Sequence, residues 1–340
     1  MKWKPARNWR RITTFDVHAA GEPLRIITGG WPQLPGESIL SKRHYLEENY
    51  DFLRQAILWE PRGHANMYGC ILTEKERPDS DFGVLFLHNQ GYGTMCGHGI
   101  IGLVTYVLET GIIEAKGDHP ILKIDTAAGQ VRARAVLKSG RVSEVSFQNV
   151  PSFVYALDQE IDVPDFGKVL IDIAYGGAFY AFCRAEDLKV SLIPENFSRL
   201  IDLGMRIKKA VMNRLPILHP FEKELSFLFG TIIIGSAHAQ GHHSRNICIF
   251  ADGEVDRSPT GTGVSARAAL HYARGEIQPG EVFIVESILG TCFKGCVKEV
   301  TTFGPYPAVI PEVTGSAFIT GRNEFFISPD DPLKHGFFLR

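Results

Sequence analysis

The chain has 340 residues, of which 44% are hydrophobic and 22% charged, and its formal net charge is −2. This length suggests two domains with sizeable cores. The weak charge does not favour nucleic acid or an anionic membrane as a partner, and no apolar run approaches the length of a membrane span. Six cysteines in a long chain, with no apolar run after the basic first ten residues, lead us to expect free thiols, no signal peptide and a cytoplasmic location.

The first half of the chain is predicted to consist of strands around one strongly apolar helix. Residues Glu37–Leu58 have apolar side chains at helical spacing. Residues Gly97–Glu109 are apolar almost all round, which is typical of a helix inside a domain. The predicted strands are Ile12–His18, Leu24–Thr28, Met67–Leu72, Gly83–His88, Ile121–Asp125, Val131–Leu137 and Val142–Val150.

The second half repeats this plan, with predicted helices at Glu195–Asn213 and Gly263–Tyr272. We place the boundary near Val150, so that the halves comprise residues 1–150 and 151–314. The sequence leaves open whether the segment 315–340 completes the first half. The predicted strands are Val169–Ala174, Phe179–Cys183, Phe227–Ile234, Asn246–Phe250, Val282–Glu286 and Thr291–Val300.

Two stretches, Phe86–Gly99 and Phe250–Gly263, are versions of each other. Each is predicted to form a strand, a polar loop and the start of a helix, with one nucleophile-type side chain just before a Gly-x-Gly. The pairs that align without a gap are Phe86 with Phe250, Cys96 with Thr260, Gly97 with Gly261, Gly99 with Gly263 and Gly111 with Gly275. Two such units facing each other would form a pocket with a thiol on one wall and a hydroxyl on the other.

Cys96 is the candidate catalytic residue. A helix N-terminus lowers a thiol's pKa because its unpaired N–H groups favour negative charge. A buried free cysteine is more often a packing residue, but the repeat and the polar loop before Cys96 favour the catalytic interpretation. The neighbouring His98 could be a base, although its position inside the Gly-x-Gly turn indicates that its backbone matters more than its ring.

The two helix starts are candidate sites for a carboxylate, because exposed N–H groups at helix starts bind anions. Asp256, four residues before Thr260, would suit a substrate that also carries a positive nitrogen, although a turn or capping aspartate is an equal alternative. The candidate carboxylate-binding residues are Gly97, His98, Gly261 and Thr262.

Two other kinds of site are weaker interpretations. Cys292 and Cys296 are four residues apart but have no second Cys/His pair with zinc spacing, so we interpret them as packing residues and predict no metal. Residues Gly97–Gly102 match the G-x-G-x-x-G dinucleotide pattern and Asp125 follows at a suitable distance. However, these glycines begin well past the end of the preceding strand, and the second loop does not match.

The loops His88–Gly99 and Asp256–Gly263 resemble the two active-site motifs of the proline racemase family, and the likeness extends from Phe15 to Phe325. The resemblance implies an α/β (α+β) fold like that of diaminopimelate epimerase: two pseudo-symmetric halves, each with strands wrapped around a central helix, and an active site in the cleft between them. It also implies a small imino acid substrate, no cofactor and no metal, and it suggests a homodimer. Further segments that resemble the family are Phe15–His18, Gly21–Pro23, Pro61–His64, Met67–Gly69 and Tyr175–Gly177.

The family's racemases and epimerases use two cysteines, whereas this chain has Cys96 and Thr260. This pair resembles that of the family's trans-3-hydroxy-L-proline dehydratases, and implies Cys96 as general base with Thr260 lining the far wall. In that role Asp256 would hold the ring nitrogen, and the two helix starts the carboxylate. The alternatives are a proline racemase or hydroxyproline 2-epimerase, and a catalytically inactive protein that binds an amino acid.

Overall fold

A computed structural model describes residues 3–339; Met1, Lys2 and Arg340, at the ends of the predicted first half and of the C-terminal segment, lie outside the described residues. The protein is α+β, and within residues 3–339 eighteen strands join in one hydrogen-bonded network beside four α-helices. The helices are α1 (Ile39–Leu58), α2 (Gly97–Glu109), α3 (Phe197–Arg214) and α4 (Gly261–Ala273). The strands are β1 (Arg10–Ala19), β2 (Glu22–Gly29), β3 (Gly69–Thr73), β4 (Phe82–Leu87), β5 (Tyr92–Gly93), β6 (Ile121–Thr126), β7 (Gly129–Lys138), β8 (Arg141–Gln148), β9 (Ser152–Val163), β10 (Gly167–Tyr175), β11 (Phe179–Arg184), β12 (Leu228–Gly235), β13 (Ser244–Phe250), β14 (Glu254–Asp256), β15 (Val282–Glu286), β16 (Cys292–Phe303), β17 (Tyr306–Gly315) and β18 (Ala317–Ile327).

Helix α2 lies among strands on all sides. It packs against β1, β2, β7, β8, β17 and β18, and every residue from Gly97 to Leu108 is buried. The prediction of a helix without a solvent face is therefore confirmed, with the predicted bounds. Within residues 3–339 no helix is both long and apolar enough to cross a membrane.

Helix α4 is enclosed in the same way by β9, β10, β11, β16 and β17. It begins at Gly261, two residues before the predicted start, and is buried as far as Leu270. Strand β17 contacts both helices: it pairs with β8 near Gly315 and with β9 at Ala308 and Val309. This shared strand holds the two helices in one packed core.

The last strand returns to the first. β18 pairs antiparallel with β1, from Ala317 opposite Ala19 to Ile327 opposite Arg10. The sequence prediction lacked five strands, namely β5, β9, β14, β17 and β18. β5 and β14 are only two and three residues long, and the other three mix charged and apolar residues or contain proline, so their periodicity is weak.

The internal repeat corresponds to matching local structure. Helices α2 and α4 have 13 residues each, and each is followed by a glycine with positive φ, 71° at Gly111 and 70° at Gly275, as helix C-termini commonly require. Asp125 and Glu286 also have the same structural role, because each carboxylate accepts hydrogen bonds from two successive backbone N–H groups of a preceding loop. The boundary between two halves stays a prediction.

Candidate active site

The starts of α2 and α4 touch through glycine. A Cβ atom on Gly97 would lie 2.5 Å from the Cα of Gly261, and a Cβ on Gly261 would lie 2.7 Å from the Cα of Gly97. No side chain fits at either position, so the backbones can approach only because both residues are glycine. This contact brings the preceding residues, Cys96 and Thr260, to one cavity.

The cavity between the helix starts has a volume of about 20 Å³ and contains all seven predicted site residues in its lining. Such a volume holds roughly one water molecule, so the two loops pack closely around the cavity. The lining residues are Tyr68, Met95, Cys96, Gly97, His98, Tyr180, Phe229, Cys248, Phe250, Asp256, Thr260, Gly261 and Thr262.

A larger cavity of about 340 Å³ lies beside Arg267 and His271, near the other end of α4. It does not include either residue of the Cys96–Thr260 pair. We place the candidate chemistry in the smaller cavity because the thiol, an acid and two helix N-termini converge there.

Cys96 caps α2. Its backbone is extended, with φ at −141°, and its Sγ accepts a hydrogen bond from the N–H of Gly99 at 3.3 Å. The Tyr68 side chain lies close enough to the thiol to lower the pKa of Cys96. Burial nevertheless raises the pKa of Cys96 well above its ordinary value, and the negative charge of Asp256 raises it further.

The expected lowering of the Cys96 pKa by the helix start was therefore wrong as a net direction. The bond from Gly99 does lower this pKa, but removal of the thiolate from water outweighs it. In the closed cavity the thiol is protonated at neutral pH, so its activation needs a change in its surroundings.

His98 contributes a neutral ring to the cavity. Burial and the charge of Arg257 lower the pKa of His98 to about 3, against a small raising influence of the Pro23 backbone. The Cys96 Sγ lies 3.1 Å from Nδ1 and 3.7 Å from Nε2. A sulfur in line with one nitrogen lone pair would be much further from the other nitrogen, so Sγ lies over the ring face. This geometry agrees with the prediction that the backbone of His98 matters more than its ring.

Asp256 ends β14 and its carboxylate lies in the cavity wall. Its Oδ1 accepts a hydrogen bond from the backbone N–H of Ser258 at 2.8 Å. Burial raises the pKa of Asp256 to about 6, against the lowering effect of the bonds from Ser258 and Thr260. At neutral pH this is a buried carboxylate that a positively charged nitrogen would stabilise.

Thr260 has an unusual backbone, with φ at 64° and ψ at 90°, and it gives α4 no side-chain cap. Positive φ is rare for a β-branched residue, because Cβ then crowds the backbone. Its Oγ1 is buried without a hydrogen-bond partner of good geometry among the described residues, although it lies close enough to lower the pKa of Asp256 and Cys248. The hydroxyl of Thr262, by contrast, bonds that of Tyr180 at 2.7 Å.

Polar contacts cross between the segments that carry the two loops. Glu22 Oε2 accepts hydrogen bonds from the backbone N and the Nε of Arg257, both at 2.8 Å, and burial raises the pKa of Glu22 to about 8. The N–H of Asn89 donates to Glu254 Oε2 at 3.0 Å, and Arg257 Nη2 donates to the carbonyl of Asn66 at 2.7 Å. These contacts hold the cavity closed.

The sequence analysis assigned no role to several residues of the cavity wall. Tyr68 appeared only within a family-like segment, and Phe250 only as the repeat partner of Phe86. Tyr180, Phe229 and Cys248 had no local signal, because their strands point into the cavity only through the tertiary fold. Among residues 3–339, no group of His, Cys, Asp and Glu side chains has an arrangement that could hold a metal ion.

The chain is similar to known proteins over nearly its whole length. The sequence model of the family described as proline racemase matches residues 14–338. The chain is 49% identical to a trans-3-hydroxy-L-proline dehydratase of Colwellia psychrerythraea, over 100% of this chain and 96% of that protein. It is 42% identical to a proline racemase of Clostridioides difficile, over 97% and 99% of the respective chains. A crystal structure of a hydroxyproline epimerase from Agrobacterium vitis with bound trans-4-hydroxy-L-proline is similar with a TM-score of 0.93 and 32% identity, covering 98% of this chain and 96% of that one.

Proposed function

Since the chain belongs to the proline racemase family, we propose that it is a hydro-lyase that converts trans-3-hydroxy-L-proline to Δ1-pyrroline-2-carboxylate. The observation that carries the proposal is the unequal pair at the helix starts. Cys96 and Thr260 line one cavity at equivalent positions, and only Cys96 has a side chain that can exchange a carbon-bound proton near neutral pH.

The stereochemistry of the substrate fits one reactive wall. In trans-3-hydroxy-L-proline the hydroxyl lies opposite the carboxylate, and therefore on the same face as the α-hydrogen. Cys96 acts as the general base that removes this hydrogen, and the hydroxyl leaves as water toward the same wall. The enamine that forms then tautomerises to the product without further help. Every proton in this scheme is held by a side chain, the substrate or water, so the reaction needs no cofactor.

Backbone N–H groups and one carboxylate in the cavity wall bind the two charged groups of the substrate. The N–H groups at the two helix starts hold the carboxylate and stabilise the negative charge that develops as the α-proton departs. Asp256 holds the ring nitrogen, and Thr260 lines the wall opposite Cys96. The residues assigned to the carboxylate are Gly97, His98, Gly261 and Thr262.

Binding also activates the thiol. The charge of Asp256 is one of the causes that raise the pKa of Cys96. A cationic ring nitrogen beside Asp256 neutralises that charge, so the bound substrate lowers the pKa of Cys96. The Cys96 thiolate, which is the general base, therefore forms when the substrate is bound.

The second candidate function is racemisation of proline or epimerisation of hydroxyproline. Similar proteins with those names favour it. The Thr260 hydroxyl weighs against it, because inversion needs a second group that returns a proton from the opposite face. A threonine hydroxyl is too weakly acidic to be that donor.

Proton NMR in D₂O tests the proposal, with trans-3-hydroxy-L-proline, trans-4-hydroxy-L-proline and L-proline supplied separately. We expect loss of water from the first substrate and no such loss from the others. Pyrrole-2-carboxylate, a planar mimic of the deprotonated ring, should inhibit and should protect Cys96 from alkylation. Clean epimerisation of a hydroxyproline, without dehydration, would establish the second function instead.

We extend the proposal to the organisation of the molecule. The halves are residues 1–150, completed by the segment 315–340, and residues 151–314, with the active site in the cleft between them, as in diaminopimelate epimerase. The pairing of β18 with β1 and the matching helices α2 and α4 support this division. A cytoplasmic homodimer that acts in hydroxyproline degradation completes the proposal, and the six free cysteines support a reducing compartment.

A further inference from the structure

We infer that Tyr68 is the general acid that protonates the departing hydroxyl, and that Tyr68 and Cys96 pass a proton between them during elimination. This inference rests on the proposed dehydratase function. It supplies the proton donor that an elimination of water requires and that a single thiol does not provide at the moment when it is removing the α-hydrogen.

The position of Tyr68 carries the inference. Tyr68 lines the same cavity as Cys96 and lies close enough to the thiol to lower the pKa of Cys96. Its ring packs edge-on against His98, with the ring centroids 5.0 Å apart. A Cβ atom on Gly93 would lie 2.4 Å from the Tyr68 hydroxyl, so the glycine in β5 leaves the space that this hydroxyl occupies.

Other lining residues on the Cys96 side are poor donors. His98 is a neutral imidazole because its pKa is lowered to about 3, and Met95 and Gly97 carry no transferable side-chain proton. The Thr262 hydroxyl is paired with Tyr180. Tyr180 is the other partner of that bond, so among the described residues that line the cavity Tyr68 carries the hydroxyl beside Cys96 that is outside this pair.

The acidity of a phenol suits this step. Burial raises the pKa of Tyr68 well above its ordinary value, which keeps the hydroxyl protonated at neutral pH. A departing hydroxide is a strong base, so the leaving oxygen gains affinity for a proton as its bond to carbon breaks. Proton transfer from phenol to the leaving oxygen is thus favourable only as the carbon–oxygen bond breaks.

The protons balance over one turnover. The Cys96 thiolate takes the α-hydrogen, the electron pair of that C–H bond forms the ring double bond, and the C3–O bond breaks. The Tyr68 O–H proton goes to the leaving oxygen, which departs as water. The phenolate then takes the proton from the neighbouring Cys96 thiol, which restores both residues.

Tyr68→Phe tests the inference with two substrates. General acids contribute about 10²–10⁴-fold to rate, so we expect dehydration of trans-3-hydroxy-L-proline to fall by that factor. With trans-3-fluoro-L-proline the leaving group is fluoride, which needs no proton, and we expect the variant to release fluoride at a rate close to the wild type. The ratio of the two rates is the readout, because any change in thiolate formation at Cys96 affects both substrates equally.

Tyr175→Phe is the matched control, since within residues 3–339 its buried hydroxyl has no hydrogen-bond partner and Tyr175 does not line the cavity. It should change neither rate. Equal losses on both substrates in Tyr68→Phe would overturn the inference, because Tyr68 would then only tune or position Cys96. If the wild type releases fluoride but never dehydrates the hydroxyl substrate, the proposed function fails as well, and the two failures are distinct.

Discussion

Cys96 and Thr260 stand at equivalent positions before α2 and α4, yet the two helix starts differ in structure. Cys96 has an extended backbone, and its sulfur is held by the N–H of Gly99. Thr260 has φ at 64°, and its hydroxyl lacks a hydrogen-bond partner of good geometry among the described residues. The same local plan therefore produces one helix start that its preceding side chain caps and one that its preceding side chain does not cap.

The largest expected effect is the loss of activity when Cys96 is substituted. Cys96→Ser should lower dehydration by about 10²–10⁴-fold, the usual contribution of a general base, because a serine hydroxyl does not ionise near neutral pH. Initial rates of product formation measure the loss. Cys292→Ser is the matched control, since Cys292 is half-buried in β16 and outside the cavity. A fully active Cys96→Ser would remove the thiol from the mechanism.

The acid beside the second helix start should control the pH dependence. With its pKa raised to about 6, Asp256 loses its charge as the pH falls through that value. We therefore expect kcat/KM to be lost below about pH 6 and present above it. Asp256→Asn should lower kcat/KM by about 10- to 100-fold, the value of a hydrogen bond to a charged group, and abolish this acid limb. An unchanged pH profile in the variant would show that Asp256 does not bind the ring nitrogen.

The difference between the two helix starts can be removed by substituting Thr260. Thr260→Cys places a second thiol opposite the first, and we expect it to add weak conversion of L-proline to D-proline, followed by chiral chromatography. Thr260→Ala removes the hydroxyl without adding a thiol, and should form no D-proline. Inertness of the cysteine variant would mean that the far wall does not face the α-carbon.

The smallest expected effect is on stability. At position 260 glycine should be more stable than alanine by about 1 kcal/mol, because alanine keeps a Cβ at positive φ. At position 96 alanine should be more stable than glycine by about 0.4–1 kcal/mol, since an extended backbone suits alanine. Urea denaturation of the four variants measures both differences. The same order at both positions would contradict the backbone difference.

Much of the site could be predicted because its signals are local. The gap-free repeat located both loops, and the unbroken apolar run gave α2 its bounds. The seven predicted site residues line one cavity because they lie at two helix starts that touch. Their roles stay predictions.

The remainder depends on packing that the sequence does not display. The thiol of Cys96 was expected to have a lowered pKa from its helix start, but burial by the other loop reverses the direction. The positive φ of Thr260 goes against the preference of a β-branched residue, so no propensity would indicate it. Tyr68, just before β3, and Cys248, in β13, reach the cavity only through the tertiary fold, and mixed polarity hid β9 and β18.

The glycine contact at the floor of the cavity has a consequence for how this architecture can change. Gly97 and Gly261 leave no room for even a methyl group, so a larger residue at either one would act as a wedge and drive the helix starts apart. Cys96 and Thr260, just before these glycines, carry side chains that line the cavity. The two glycines therefore fix the distance between the helix starts. A substitution of Cys96 or Thr260 can change the chemistry of the cavity while that distance is preserved.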